Sequence, residues 1–362
     1  MSARSLVGID GAVIEDGVLR HAGNPLVEQR ALAAGTAIAV LGDRGVVTVT
    51  GDDRLSWLDS LTSQALAALP PDVGTELLVL DPQGRIEHAA SVVDDGTTTW
   101  LIVDRDDVEP LAGWLTKMRF RLRVDVAVRD DLVVVGGTPD ALAVVGAAAP
   151  LWVDPWPSVT AGGHAYGPIE GHPGSDRAWA EAVVELVELD RLVAAQASGL
   201  ALAGVDAADA LRVAAWRPRW STEVDDRAIP HEADWLRTAV HLSKGCYRGQ
   251  ETVAKVHNLG HPPRRLIALH LDGSESVLPV RGAEVRAGET VVGSVTSTAL
   301  HYEDGPIALA LVRRGAPVEG EVTVATEAGP VAAAQEVIVP PEAGATAGVP
   351  RMSRLSRRPR AT

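Results

Sequence analysis

A β-rich run, a glycine turn and a helix follow one another twice in this chain, and this repeat is the strongest constraint on its fold. The first copy is the run 46–50, which ends at Gly51 and is followed by 54–69 with apolar residues at helical spacing. The second is the run 132–137, which leads through a turn with helix-capping residues into 141–145. Two copies of one strand–turn–helix unit predict an α+β protein with an internal repeat.

The remaining segments add short strands and helices. The runs 76–80 and 85–93 flank a Pro/Gly turn and are predicted to form a hairpin. Apolar residues at helical spacing predict helices over 107–117 and 178–200. Between 266 and 337, Val-rich runs separated by Gly and Pro predict a small antiparallel barrel.

The composition argues against several classes of protein. A net charge of −15 argues against a nucleic-acid binder, because phosphate contacts need clustered Lys and Arg. A single cysteine excludes an internal disulfide framework and a cluster held by this chain's thiolates alone, which takes about four. No apolar run approaches the ~20 residues of a membrane span, and no signal-like segment begins the sequence. We therefore expect a cytoplasmic monomer with neither a nucleic-acid nor a membrane partner.

The only cysteine lies in the segment that says most about function, which reads Lys244, Gly245, Cys246, Tyr247, Arg248, Gly249, Gln250 and Glu251. The positive charge of Lys244 favours the thiolate of Cys246, and the glycines permit a tight turn and close approach of a reactant. A helix predicted over 250–256 adds its positive N-terminal end to that environment. A lone cysteine is often an inert buried residue, but these polar, glycine-rich neighbours favour a reactive thiol. No second cysteine is present to resolve a disulfide, which disfavours a thiol oxidoreductase.

This segment resembles the signature of the YgfZ family, folate-binding proteins implicated in iron–sulfur cluster maintenance. These proteins are related to the aminomethyltransferase (T-protein) of the glycine cleavage system. Further segments resemble that family in the same order along the chain, with Trp216 standing where glycine is usual. They are 49–58, 211–218, 229–232, 264–266 and 292–297.

The resemblance implies an α+β, aminomethyltransferase (GcvT)-like folate-binding fold, with two interleaved α+β lobes plus a C-terminal antiparallel β-barrel. On this basis we expect a discontinuous central folate-binding lobe at 1–50 and 125–250 and a second α+β lobe at 51–124. The barrel domain with its linker is expected at 251–338. The segment 339–362 is rich in Pro, Ala, Gly and Arg and is expected to be a disordered tail.

The resemblance also implies a cofactor, tetrahydrofolate or a one-carbon derivative. In the related aminomethyltransferases a Glu of the corresponding segment hydrogen-bonds the pteridine ring, and Glu223 takes that role here. A carboxylate can accept two hydrogen bonds from an aminopyrimidine edge; the alternative is a solvated acidic loop. Arg217 completes the expected site, with Trp216 and Trp220 as candidates for stacking on a pterin.

Glu87 and His88 occupy the place of the aspartate pair that the transferase uses near the folate during one-carbon transfer. The longer Glu and the different charge chemistry of His disfavour aminomethyl transfer. If the chain is an enzyme, Glu87 or His88 is the expected base. We expect no metal site, since Gly260 and Pro262 break any helix that would align nearby histidines.

The function expected from these observations is tetrahydrofolate binding combined with a reactive Cys246 in iron–sulfur cluster assembly or repair. Its partners would be iron–sulfur client proteins or assembly factors. The alternative is a folate-dependent one-carbon transferase, either an aminomethyltransferase or a demethylase. The chain has the cysteine segment of the YgfZ family but lacks the aspartate pair of the transferase. Both features favour the iron–sulfur function over a classical aminomethyltransferase.

Overall fold

A computed structural model describes Leu6, Ile9 and residues 11–146, 149–195, 200–273 and 277–348. Within this part of the chain no helix is long and apolar enough to cross a membrane. The helices are α1 (Pro25–Ala33), α2 (Arg54–Leu61), α3 (Val108–Met118), α4 (Pro139–Leu142), α5 (Leu186–Ala195), α6 (Val205–Ala214), α7 (Trp220–Glu223) and α8 (Gln250–Leu259). The strands are β1 (Val13–Glu15), β2 (Val18–His21), β3 (Ala37–Val40), β4 (Arg44–Thr50), β5 (Thr75–Leu80), β6 (Ile86–Asp94), β7 (Thr98–Asp104), β8 (Asp125–Val128), β9 (Leu132–Gly137), β10 (Leu151–Val153), β11 (Ala180–Glu185), β12 (Ala201–Ala203), β13 (Arg264–Leu271), β14 (Glu284–Ala287), β15 (Thr290–His301), β16 (Gly305–Arg313), β17 (Val322–Thr326) and β18 (Gly329–Val337).

Two five-stranded sheets and a closed barrel form the framework. The first sheet has the order β10-β11-β9-β3-β12 and the second the order β5-β6-β7-β4-β8. Consecutive strands β3 and β4 lie in different sheets, as do β8 and β9, so the two lobes are interleaved. The barrel order is β13-β16-β15-β14-β17-β18, with antiparallel pairs. This arrangement confirms the predicted fold class. The second sheet extends past the expected 51–124 lobe at both ends, because β4 and β8 pair within it.

Apolar side chains fill the space between the sheets and behind each of them. Alternate residues of β4 divide between two cores, as the period of a strand requires: Val47 and Val49 face α2 and α3, whereas Val46 packs with β3 and β9 residues of the other sheet. On the far side of α6, Ala210 and Val213 pack against barrel residues such as Leu309. The interior between the two sheets, closed by α6, is the place where a ligand cavity can form.

The repeated unit is present in both sheets. β4 leads through Gly51 into α2, and β9 leads into α4, where the Thr138 hydroxyl accepts a hydrogen bond from the Ala141 N–H (3.2 Å). The first helix is shorter than the predicted 54–69. It ends at Leu61 because the backbone of Thr62 is extended, and the Thr62 hydroxyl donates to the Leu58 carbonyl (2.8 Å).

Two other predictions need correction. The helix predicted over 178–200 is wrong in its first part: Ala180–Glu185 is a strand, since its apolar residues pair between β9 and β10, and only Leu186–Ala195 is helical. The disordered tail predicted from 339 is wrong for residues 339–348. Val339 is buried and its N–H donates to the Leu266 carbonyl (3.1 Å), and Thr346 bonds the His257 carbonyl of α8. Residues 349–362 lie outside the described residues.

The glycine turn of the first repeat gives a test of the fold. Gly51 has φ +106, and a Cβ added there would lie 2.0 Å from the Arg123 carbonyl oxygen. We expect Gly51→Ala to lower the free energy of unfolding by about 4 kcal/mol, as severe backbone clashes do. The control is Gly288→Ala, at φ +58 with open space around it, which should cost about 1–2 kcal/mol for the left-handed backbone alone. Equal losses in urea titrations would contradict the close approach at Gly51.

Candidate functional site

A cavity with about 80 Å³ of free space lies between the two sheets, beside α6 and the segment that follows it. Small residues of β6 and α6, such as Ala90 and Ala208, leave room for it. Four tryptophans line it: Trp152, Trp179, Trp220 and Trp235. Aromatic walls with a few fixed polar groups are typical of sites for flat, partly polar ligands.

Asp104, at the end of β7, is the centre of the polar wall. Its Oδ1 accepts hydrogen bonds from Arg44 (2.9 Å) and Arg219 (2.6 Å), and its Oδ2 accepts one from the backbone N–H of Ser221 (2.8 Å). Burial alone would raise the pKa of Asp104, but the guanidinium groups of Arg219 and Arg44 hold that pKa well below its ordinary value. Asp104 is therefore charged at neutral pH and joins β4, β7 and the segment after α6.

Arg217 forms a second ionic centre. Its Nη2 donates to Glu76 (2.6 Å) and its Nε donates to Asp154 (3.2 Å). Burial would lower the pKa of Arg217, but the carboxylates of Asp154 and Glu76 raise it above its ordinary value. Arg217 lines the cavity and is only 7% exposed, yet its Nη1 has no hydrogen-bond partner among the described residues. Because an unpaired buried donor costs about 1–3 kcal/mol, this group favours a ligand that offers an acceptor.

The path of the chain after α6 brings Arg217 and Arg219 to the cavity. Trp216 has a left-handed backbone (φ 56), which reverses the chain just past the helix, and Arg212 fixes the turn by donating to the Arg217 carbonyl (2.7 Å). A left-handed backbone suits the glycine that is usual there. The Trp216 side chain packs against His172 (ring centroids 5.3 Å apart) and does not line the cavity. The structure therefore places Trp216 away from this cavity, and its stacking on a pterin stays a prediction.

Glu223 also has its partners within the protein. It is 2% exposed, lies outside the cavity lining, and both its oxygens are occupied. Its Oε1 accepts from the Ser297 hydroxyl (2.6 Å) of β15. Its Oε2 accepts from Arg212, the Arg219 N–H (2.7 Å) and Thr222. Glu223 thus joins α7 to the barrel and lies outside the cavity lining, so the structure gives its carboxylate a structural role, and its contact with the pteridine stays a prediction.

The ammonium group of Lys244 is held by backbone carbonyls at the end of α2. Its Nζ donates to the carbonyl oxygens of Asp59, Thr62 (2.9 Å) and Gln64 (2.6 Å), and lies 3.4 Å from the Asp59 carboxylate. Burial lowers the pKa of Lys244, although Asp59 opposes this. A cation among carbonyls at the C-terminal end of α2 is a helix cap, so Lys244 has a structural role, and its catalytic role stays a prediction.

Cys246 itself is exposed, as a thiol that meets a partner must be. The helix predicted after it is confirmed as α8, which begins at Gln250, and Glu251 is on its exposed side. Gly249 has φ +83, and a Cβ there would lie 2.6 Å from the Asp81 carbonyl oxygen. Gly249 therefore allows close contact with the turn of the β5–β6 hairpin, whereas the prediction was close approach of a ligand.

The cysteine segment contacts the cavity wall through Glu87. Arg248 Nη1 donates to the Glu87 carboxylate (2.6 Å), and the indole N–H of Trp220 donates to the Glu87 carbonyl (3.0 Å). Tyr247 is buried in the same apolar cluster that Trp220 packs against. Glu87 thus connects the segment that carries Cys246 to the cavity wall, because it accepts hydrogen bonds from both Arg248 and Trp220.

Neither expected base reaches the cavity. Glu87 is paired with Arg248, and His88 Nδ1 lies 2.6 Å from Asp107 Oδ1 on the α3 side of the sheet. Neither side chain belongs to the cavity lining. In the described part of the chain no group of three or more His, Cys, Asp or Glu residues is placed to hold a metal ion.

Of the residues predicted for the folate site, the structure places Arg217 and Trp220 in the cavity and leaves out Glu223 and Trp216. The prediction missed most of the charged lining, including Arg44, Glu76 and Asp104. These residues lie singly on strands far apart in the sequence. The one available signal was the excess of Trp over Phe, nine to one. Tryptophan combines a large apolar ring with a polar N–H, which suits the wall of a ligand cavity.

Comparison with known proteins gives a family match for the barrel. Residues 264–341 match the family described as the glycine cleavage T-protein C-terminal barrel domain. Among solved structures, the glycine cleavage system aminomethyltransferase T from Bartonella henselae superposes with a TM-score of 0.66 at 18% identity, covering 86% of this chain and 87% of that one. The fold is therefore that of the T-protein.

Curated relatives come from two groups. An aminomethyltransferase of Nostoc sp. is 27% identical over 323 residues, covering 82% of this chain and 83% of the relative. A tRNA-modifying protein YgfZ of Vibrio atlanticus is 24% identical over 238 residues, covering 62% and 67%. A mitochondrial iron–sulfur cluster assembly factor homolog of Mycosarcoma maydis is 26% identical over 251 residues, covering 64% and 56%.

The buried carboxylate of Glu223 gives a test of the site's construction. Glu223→Ala leaves the buried Ser297 hydroxyl without its acceptor and removes one of the two carboxylates that Arg212 contacts, so we expect the free energy of unfolding to fall by about 1–3 kcal/mol. Asp226→Ala, close in sequence and exposed, should change it by less than about 0.5 kcal/mol. Urea unfolding measures both. If Glu223→Ala kept normal stability but lost folate binding, that result would support a direct contact between Glu223 and the pteridine.

Proposed function

We propose that this chain, a relative of the aminomethyltransferases and of YgfZ-type proteins with a T-protein C-terminal barrel domain, binds tetrahydrofolate and acts in iron–sulfur cluster assembly or repair. The observation that carries the proposal is the unpaired Nη1 of Arg217 in a cavity walled by tryptophans. A cationic donor beside aromatic faces fits a flat ring that carries a carbonyl oxygen, as a pterin does.

The other polar groups of the cavity fit the opposite edge of such a ring. Asp209 accepts a hydrogen bond from Arg212 at Oδ1 (2.6 Å), and its side chain is about one-third exposed, which leaves Oδ2 for ring or amino N–H donors. Trp220 and Trp235 supply faces for stacking. Arg217, Asp209 and Trp220 would thus hold a pterin by its acceptor edge, its donor edge and its face. Bound tetrahydrofolate supplies a carrier for one-carbon groups.

The iron–sulfur part of the proposal rests on Cys246 and on the name of one relative, the iron–sulfur cluster assembly factor homolog. An exposed thiolate can donate one ligand to a cluster whose other ligands come from a partner, since a typical cluster takes about four thiolates. Cys246 lies outside the cavity lining, but Arg248 and Tyr247 connect its segment to the Trp220 wall. Folate binding and thiol chemistry would then belong to one contiguous region.

The competing function is one-carbon transfer, which the coverage of the aminomethyltransferase relatives favours. The geometry supports it less well, because Glu87 and His88 are each paired outside the cavity. Those carboxylates of the lining that face Arg217, such as Glu76 and Asp154, are held as ion-pair partners. A general base must lie within hydrogen-bond reach of the proton that it removes. In this proposal the open oxygen of Asp209 is used by the donor edge of the pterin, so binding without transfer is the function that the site supports best.

Calorimetry with tetrahydrofolate tests the binding proposal. We expect wild-type protein to bind, and Trp220→Ala to weaken binding by about 1–3 kcal/mol, the usual value of aromatic stacking on a heterocyclic ring. Trp114→Ala is the matched control, because Trp114 packs in the core behind the second sheet; its affinity should be unchanged. A wild-type protein that shows no heat at millimolar folate contradicts the proposal.

Cys246 has a separate test. Because the thiol is exposed, we expect Cys246→Ser to keep wild-type stability within about 0.5 kcal/mol and to keep folate affinity. The variant should fail to restore iron–sulfur enzyme activity in cells that lack the protein. Ser243→Ala, at an exposed neighbouring position, is the control and should restore it fully. Full activity of Cys246→Ser would remove the thiol from the proposed function without affecting the folate site.

A further inference from the structure

The second sheet ends in an open edge strand. Its strand order is β5-β6-β7-β4-β8, and β8 pairs with β4 on one side. No other strand of the described residues pairs with the second side of β8, where Val126, Ala127 and Val128 are only partly buried. Free backbone N–H and C=O groups at a sheet edge are a template for a further strand. The open side of β8 is therefore a place where a strand can add.

The hydrogen bonds to β4 determine which backbone groups of β8 face the open side. The N–H of Arg129, the residue after the strand, donates to the Val46 carbonyl (3.0 Å). Opposite residues of an antiparallel ladder alternate between bonded and non-bonded pairs, so Ala127, two positions earlier, also directs its backbone groups toward β4. The backbone groups of Val126 and Val128 therefore point to the open side. A strand that adds to β8 must bond to these two residues.

The charged side chains along this edge alternate in sign. Successive side chains of a strand point to opposite faces. The valines of β8 pack against the core behind the second sheet, so Asp125, Ala127 and Arg129 share the other face. An exposed Arg123 precedes this set, and an exposed Asp131 follows it. Every second position from 123 to 131 is thus positive, negative, neutral, positive and negative, and the signs invert when the order is reversed about Ala127.

A second copy of β8 fits this edge in one register. Two copies related by a two-fold axis pair antiparallel and present the same surface to each other. When Ala127 lies opposite its own copy, Val126 lies opposite Val128 of the second copy, and their free backbone groups can form about four hydrogen bonds. Ala127 then stands in a non-hydrogen-bonded pair, where the Cα atoms are only about 4.5 Å apart. Its small side chain suits that distance.

The same register brings opposite charges together. Asp125 lies opposite Arg129 of the second copy, and the end of the edge at Arg123 meets the end at Asp131. Opposite charges across a strand pair are stabilising, and like charges are destabilising. A shift by two residues, the smallest that keeps the backbone bonds, places Arg123 opposite Arg129 or Asp125 opposite Asp131. The order of charges thus selects a register that the backbone groups also allow.

These charges also have partners within one copy. Arg129 pairs with Asp131, Arg119 with Asp125, and Arg123 with Asp52 and Asp53. Most of these side chains are exposed, and exposed ion pairs are weak, so each charge can still interact with a second copy. The edge as a whole is nearly neutral. The order of its charges, and not their sum, favours a second copy.

Two apolar side chains border the edge. Phe120, the only phenylalanine of the chain, is 82% exposed, and Leu122 is 44% exposed. Phe120 also has a left-handed backbone (φ 48), which is unusual for a bulky residue. Both residues directly precede β8, so a second copy that adds to this strand approaches them. Covering exposed apolar surface favours association.

We propose that two copies of this chain associate through β8 into a symmetric dimer, in which the two five-stranded sheets become one sheet of ten strands. A dimer differs from the monomer expected from the sequence, and it does not rest on the proposed folate function. The cysteine segment stays at the far edge of the sheet, because Gly249 contacts the turn of the β5–β6 hairpin. Nine strand spacings, about 43 Å, separate the two β5 strands.

Sedimentation equilibrium of the full-length chain tests the proposal. A contact between two four-residue strands is smaller than the ~1,600 Å² of a standard interface, so we expect the average mass to rise from one chain to two between about 5 and 500 µM protein. Raising the salt from about 50 to 500 mM should weaken the dimer at least about threefold, because salt screens exposed charges.

Charge variants identify the register. Arg129→Glu places like charges opposite Asp125 of the second copy, at two symmetric positions, and should raise the dissociation constant at least about fivefold. Asp125→Arg should do the same. The swap Asp125→Arg with Arg129→Glu restores opposite charges and should return the constant to within about twofold of the wild-type value. The matched control is Arg286→Glu, which should change nothing: Arg286 of β14 is held by a carboxylate two residues away, as Arg129 is.

A backbone variant tests the strand pairing itself. Val126→Pro removes an N–H that faces the open side and takes no bond from β4, so the chain should fold but stay monomeric. Urea unfolding checks that each variant is folded.

Three results would overturn the proposal. These are a chain that stays monomeric throughout this concentration range, a Val126→Pro protein that still dimerises, and folded charge variants whose dimer is not weakened singly or not restored by the swap. A chain that dimerises in this way but does not bind folate would support this inference while contradicting the proposed function.

Discussion

The carboxylate of Asp104 is the interaction on which the rest of the site depends. It stands at the end of a strand of the second sheet and holds Arg44 of β4 and Arg219 of the segment after α6. Breaking a buried ion pair by removing one partner costs about 3–5 kcal/mol, so these pairs fix the segment after α6 against the second sheet at the cavity. Arg217, with Glu76 and Asp154, repeats the arrangement on the other side.

These ion pairs make the cavity polar. The bases predicted from the sequence, Glu87 and His88, do not line it. The arginines are used to hold carboxylates, and the Nη1 group of Arg217 is left without a partner among the described residues. The cysteine segment is held in a different way, by Lys244 on the carbonyls that end α2 and by Arg248 on Glu87. These contacts hold the segment in place while the thiol of Cys246 stays exposed, so it can meet a partner.

Local patterns predicted the parts of the fold whose pairing is local. The β5–β6 hairpin, α3, α8 and the barrel agree with their predictions. The run 180–185 was predicted as helix because its apolar residues suit either structure, and only pairing between β9 and β10 decides for a strand. Within the family segment, Arg217 and Trp220 line the cavity, whereas Glu223 contacts a serine of the barrel. The sequence does not tell whether such a carboxylate faces a ligand or another part of the protein. Asp104 was missed because a single acidic residue after a strand resembles a surface charge until the sheets are assembled.

The most direct measurement of the central claim is a crystal structure of the protein soaked with a reduced pterin. The account predicts the ring in the central cavity, stacked on Trp220 or Trp235, with a ring oxygen within hydrogen-bond distance of Arg217 Nη1. The ion pairs of Asp104 should be unchanged in that structure. A pterin bound elsewhere, or a cavity in which Arg217 Nη1 bonds only protein or solvent at saturating ligand, would contradict it.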